Sequence, residues 1–161
     1  MPPVVVDTNV FATADGLNDT ATAECVDSCL QIVLQLERGT KLLVDDGDEI
    51  FAEYLATLNA RKAAGLAAKL IVRLFHLRFG DVCEKTRITP AAAPPPMYDE
   101  VPAALVDFDA DDQKFIAVAA TTNGASPIVA GLDGEWWARR ADFAASGLLV
   151  QFPCLPDLLG Q

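Results

Sequence analysis

Short apolar runs alternate along this chain with longer stretches in which apolar residues recur every three or four positions, and the two periods predict strands and helices in turn. Val4-Val5-Val6 is β-branched, too short for a helix and followed by turn-compatible Asp7-Thr8-Asn9, so it predicts a buried strand that ends at an acid. From about Thr20 to Arg38, Val26, Cys29, Leu30, Val33 and Leu36 keep helical spacing, and Gly39 supplies the stop. Lys41-Leu42-Leu43-Val44 predicts a second strand. Asp48 is the expected cap of the next helix, which carries Ile50, Phe51, Tyr54, Leu55 and Leu58, and Gly65 separates it from a further helix over Leu66 to Phe79.

The stretch from Thr89 to Pro102 holds Pro90, Pro94, Pro95, Pro96 and Pro102 and predicts an irregular surface loop. Beyond it lie an acid-rich segment from Asp107 to Asp112, a helix through Phe115, Ile116, Ala119 and Ala120, and a strand Pro127-Ile128-Val129-Ala130. A helix near Trp136 to Ala145 and a last strand Leu148-Leu149-Val150-Gln151 complete the pattern, with no internal repeat. Strands alternating with helices predict the α/β class, with a mostly parallel sheet covered on both faces. At 161 residues the chain is long enough for one domain with a substantial core, and residues 1–161 read as that single domain.

Composition narrows the picture. An apolar fraction of 52% with a mean hydropathy of +0.25 argues against disorder. No apolar run reaches the roughly 18 residues of a membrane span. The N-terminus has no basic segment ahead of its apolar run, which ends at Asp7, so it does not read as a signal peptide, and a cytoplasmic location is the default expectation. Cys25, Cys29, Cys83 and Cys154 are scattered, and reduced thiols are expected in a domain of this size. Cys25 and Cys29 lie one helical turn apart, but no second Cys/His pair accompanies them, which argues against structural zinc. His76, the only histidine, has no partner motif and is assigned no role.

A net charge of -11 opposes nucleic-acid binding, because phosphate contacts are driven by Lys and Arg. The charges are unevenly spread. Between Arg61 and Arg87 stand seven of the twelve basic residues (Arg61, Lys62, Lys69, Arg73, Arg78, Lys85, Arg87) against Asp81 and Glu84 alone. Lys69, Arg73 and His76 share one helical face, which is either a solvated surface or a candidate for contacts with a phosphate backbone.

Ligands of open parallel sheets bind beyond the carboxyl ends of the strands, where Asp7 and Asp133 are expected. Carboxylates that meet there repel one another unless a cation or a shared proton intervenes. Acids without His or Cys suit Mg²⁺ or Mn²⁺ rather than zinc. Each acid also has an ordinary structural use. Asp7 suits a turn, Glu53 a solvated helix face, Asp112 the cap of the helix through Phe115, and Asp133 the turn Leu132-Asp133-Gly134.

Order and spacing favour a joint role. A short strand followed by Asp7-Thr8-Asn9-Val10-Phe11 resembles the opening of PIN domains, the nuclease family that includes VapC-type toxins. Glu49 to Leu58 resembles the helix with the family's second acid, at Glu53, and Asp109 to Ala119 the entry to the helix with the third, at Asp112. Pro127 to Glu135 resembles the strand and turn with the fourth, at Asp133 or Glu135, although Ala130-Gly131-Leu132 stands where the family commonly has Ser or Thr.

The resemblance spans Val4 to about Leu158 and implies a three-layer α/β/α fold and a metal-dependent endoribonuclease. Asp7, Glu53, Asp112 and Asp133 would be the catalytic acids and Mg²⁺ or Mn²⁺ ligands, with Thr8 and Asn9 supporting them and Lys69 and Arg73 guiding RNA. The partners it suggests are RNA, an antitoxin or other protein regulator, and a second copy of the chain. Three other readings stand beside it: a PIN-like module that binds RNA or protein without efficient catalysis, a toxin held inactive by a small antitoxin, which is compatible with nuclease chemistry, and an Asp-nucleophile phosphatase. The phosphatase pattern expects a second Asp two residues after the first, and position 9 is Asn.

Overall fold

The computed structural model describes residues 1–59 and 65–160, so Arg61 and Lys62 of the basic stretch lie outside the described residues. Among the described residues five parallel strands run through a mixed α/β structure: β1 Val5–Val6, β2 Leu42–Asp45, β3 Cys83–Thr86, β4 Ile128–Val129 and β5 Val150–Gln151. β1 pairs with β4 and β4 with β5, while β2 pairs with β3. A parallel bridge from Val4 to Leu42, with Leu43 N–H donating to the Val4 carbonyl at 2.8 Å, joins the ladders in the order β3-β2-β1-β4-β5. β1 is therefore central, and its two valines are wholly buried, as a strand flanked on both edges requires.

Helices fill the connections: α1 Thr8–Ala14, α2 Ala23–Glu37, α3 Glu49–Leu58, α4 Leu66–His76, α5 Gln113–Ala120, α6 Gly134–Ala138, α7 Arg140–Ala145 and α8 Leu155–Leu159. The long amphipathic helices match the spacing of their apolar residues, and Val33, Leu36, Phe51, Tyr54, Ile71, Leu74, Phe115 and Ile116 share one core. Among the described residues no helix is long and apolar enough to cross a membrane.

Three elements depart from the pattern reading. α1 starts directly after Asp7, where a turn was expected, and buries Val10 and Phe11. β3 is half polar because it lies at the sheet edge with one side open, which removes the apolar run that marks a buried strand. α8, only five residues long, carries too little periodicity to register.

Two expectations are corrected. Asp48 does not cap α3; it sits at φ 61° and pairs with Arg78 at 3.0 Å and Lys85 at 3.1 Å. Asp45, at the end of β2, takes the capping role and accepts from Glu49 N–H at 2.9 Å and Ile50 N–H at 2.8 Å. Cysteine pairing is the second correction, because Cys25 and Cys154 form a disulfide while Cys29 and Cys83 stay free and buried. The pair is 129 residues apart in sequence and meets only because the chain beyond β5 returns against α2. Disulfides are mainly a feature of oxidising compartments, so this pairing pulls against a cytoplasmic expectation.

Candidate metal centre

Asp7 closes β1 by donating its N–H to the Val129 carbonyl at 2.9 Å, and its own carbonyl accepts from Val10 N–H at 3.0 Å as α1 begins. Its side chain makes no capping bond to α1. The residue is 2% exposed, and Oδ2 is buried without a hydrogen-bond partner among the described residues. Gly131 N–H supports the carboxylate from the end of β4. A Cβ on Gly131 would lie 3.0 Å from Asn9 Cβ, so glycine lets the chain leaving β4 approach the start of α1 without crowding it. Ala130-Gly131-Leu132, the departure from the resembled pattern, thus has a packing reason.

Glu53 reaches the same crevice from α3. The Tyr54 hydroxyl donates to the Val6 carbonyl and fixes the helix against the last residue of β1. The Thr8 hydroxyl donates to Glu53 Oε2, and the Lys114 ammonium donates to Oε1 at 2.8 Å. Glu53 is therefore half-buried and doubly bonded rather than a solvated helix acid. Lys114 also reaches the Asp111 carbonyl, which ties α5 to α3 across the acids.

Asp112 precedes α5 but makes no side-chain cap, so its carboxylate is free to face the crevice. Asp133 does cap, accepting from Glu135 N–H at 3.0 Å through one oxygen at the start of α6. Asp109, Asp112 and Glu135 each place a carboxylate oxygen within 4.8 Å of the others, and Glu135 also accepts from Asp109 N–H at 3.2 Å.

Aromatic packing holds these two acidic segments together. The rings of Trp136 and Phe143 stack at 5.2 Å, with Phe108 edge-on to Trp136 at 4.9 Å. Gln113 adds a polar clamp: its amide donates to the carbonyls of Val106 and Phe108 at 3.1 and 2.7 Å and accepts from Met97 N–H at 2.8 Å. The proline-rich loop is thereby pinned beside the approach to Asp112.

Electrostatics follow from this crowding. Burial, then the charges of Asp112, Asp133 and Glu53, push the Asp7 carboxyl well above its ordinary range. Burial and the neighbouring Asp133, Asp109 and Glu53 push Asp112 up to about 7, against a partial offset from Lys114. A carboxyl with a raised folded-state value binds protons more tightly folded than unfolded, so stability falls as pH rises through the window between the two values. The metal-free protein should accordingly lose melting temperature between about pH 4 and pH 7. Asp112 alone should contribute about 2 kcal/mol after solvent screening. Thermal melts in chelator across that range measure it; a melting temperature that climbs toward neutrality would contradict the assigned repulsion.

The structure brings Glu53, Asp112 and Asp133 into electrostatic range of Asp7, with Thr8 on Glu53 and Asn9 against Gly131. Lys69 and Arg73 lie on the exposed face of α4, and Arg73 is engaged by Glu37 of α2 at 2.9 Å. Lys114 and Asp109 were not singled out in the sequence. Lys114 lies between Gln113 and Phe115 with no periodic signal, and its role depends on α3 arriving opposite. No protein-family model, curated protein or solved structure matches the chain.

Proposed function

We propose that this chain is a metal-dependent endoribonuclease of PIN type, in which Asp7, Glu53, Asp112 and Asp133 hold Mg²⁺ or Mn²⁺ and RNA is the substrate. A three-layer α/β/α arrangement is the fold that accompanies this reading. The observation that carries it is the buried, unpartnered Oδ2 of Asp7 among three further acids. Such an oxygen is costly, and a divalent cation removes both the desolvation and the repulsion. The donors are carboxylates without imidazole or thiolate, which fits a hard ion.

An ion held by these carboxylates would supply a water of lowered pKa and neutralise charge on a phosphodiester. The chain's own groups do the rest. Thr8 orients Glu53, Gly131 N–H steadies one side of Asp7, and Trp136 with Gln113 keeps Asp112 and Asp133 on a rigid support. The Lys114 ammonium places positive charge at the rim of an otherwise acidic crevice, where a phosphate oxygen approaches. Lys69 and Arg73 serve as outer guides only if RNA displaces Glu37 from Arg73.

Lys114 also favours a second reading, a PIN-like module with weakened catalysis, because its ammonium already compensates Glu53. A basic protein regulator, such as an antitoxin, suits the net charge of -11 under either reading. Single-stranded RNA incubated with the purified protein should be cut internally with Mn²⁺ or Mg²⁺ and remain whole in chelator. Cleavage in chelator refutes metal dependence, and RNA binding without cleavage under either ion selects the module.

A further inference from the structure

A second concavity lies on the same rim as the acids. Leu132 follows β4 and is the chain neighbour of Asp133; Pro156 and Asp157 follow β5; Thr20, Thr22 and Glu24 close the opposite wall from the start of α2. The strands are parallel, so this cavity and Asp7 both lie beyond their carboxyl ends. Its volume is about 500 Å³. That falls within the roughly 300–1,000 Å³ of small-molecule sites.

The wall chemistry is selective. Leu132 and Pro156 supply apolar lining against which a planar ring can lie. Asp157 is held rigidly, because its two oxygens accept from Thr22 N–H at 2.9 Å and the Thr22 hydroxyl at 2.7 Å. Glu24 is exposed toward the cavity, and among the described residues its carboxylate has no hydrogen-bond or ion-pair partner. Among the described residues no Lys or Arg lines the cavity. The site thus repels a phosphate and favours a ring that presents donors.

We propose that this cavity is a nucleobase subsite selective for guanine, seated beside the acid cluster and read by the carboxylate of Glu24. Guanine carries two adjacent donors, N1–H and the exocyclic amino group, that match the two oxygens of one carboxylate. The corresponding edges of adenine, cytosine and uracil set an acceptor beside their donor, which would face a carboxylate oxygen repulsively. The assignment rests on the endoribonuclease reading for its role, since it makes the cavity the place where the chain to be cut is recognised.

Nucleosides separate the two. Guanosine, inosine, adenosine, cytidine and uridine are titrated into the metal-free full chain while the Leu132 methyl and Thr20 signals are followed by NMR. Guanosine should shift them at concentrations at least about tenfold lower than adenosine, with inosine between. Glu24→Gln, at an exposed position in the first turn of α2, should erase that preference while leaving the spectrum of a folded protein. Equal responses to all five, or no shift at Leu132, overturn the subsite even if Mn²⁺-dependent cleavage is observed. Guanosine selectivity without RNA cleavage supports the subsite and overturns the nuclease reading alone. An arginine-rich peptide that displaces guanosine from these residues at lower concentration overturns it in favour of a protein ligand.

Discussion

Asp7→Asn should abolish Mn²⁺-dependent RNA cleavage and, in the same protein, raise the metal-free melting temperature at pH 7.5. Both effects come from one carboxylate. The wild-type side chain is buried, faces Asp112, Asp133 and Glu53, and leaves Oδ2 unpaired. Without metal that negative charge opposes folding, and an amide of equal shape removes it while its NH₂ donates toward the neighbouring carboxylates. Each kcal/mol recovered should add about 2–4 °C. With metal the balance should reverse, because under the proposed function the lost oxygen would be a ligand. The activity loss should exceed the roughly 10–100-fold that follows removal of a group merely supporting a ligand. Added Mn²⁺ should raise the melting temperature of the wild type and not of the variant. Undiminished cleavage would remove Asp7 from the metal site, and a lower metal-free melting temperature would refute the stated cost of its burial.

Trp136→Ala should be the most destabilising single change near the site. The indole is fully buried, stacks on Phe143 at an interplanar angle of 17° and meets Phe108 edge-on. Its truncation should cost about 3–5 kcal/mol, a large part of the stability of a typical domain. The melting temperature should fall by about 10 °C. A second effect separates this residue from an ordinary core position. Trp136 joins the Asp133–Glu135 segment to the Asp107–Asp112 segment, so its loss should weaken Mn²⁺ binding at temperatures where the variant is still folded. Trp137→Ala, partly exposed and packed on Phe152, is the control and should leave Mn²⁺ affinity nearly unchanged. Equal losses of affinity in the two variants would mean that the aromatic cluster does not position the acids.

Much of this arrangement was legible in the residues because the relevant physics is local. Val4-Val5-Val6 before an acid marks a central strand, and the three- and four-residue spacing in α2, α3, α4 and α5 marks their buried faces. The positions of Asp7, Glu53 and Asp112 relative to those elements follow from the same pattern. What the carboxylates do there does not. An Asp before a helix is normally its cap, and nothing in the sequence tells that Asp7 and Asp112 leave their helices uncapped whereas Asp133 caps its own. The capping of α3 by Asp45 instead of Asp48 was hidden for the same reason: both are acids ahead of one helix, and the backbone at Asp48, with φ 61°, turns its side chain toward Arg78 and Lys85.

Long-range pairings were beyond the reach of any local pattern. The Cys25–Cys154 disulfide, the ammonium of Lys114 on Glu53 and the cavity that Leu132 and Pro156 both line join positions far apart in the chain, and each depends on the order in which the strands assemble. By itself the sequence determined a chain of alternating strands and helices with acids after its apolar runs, since periodicity and turn chemistry act over a few residues. Only the tertiary structure decided which oxygen of Asp7 is left without a partner, because burial and repulsion are properties of what the whole fold brings together.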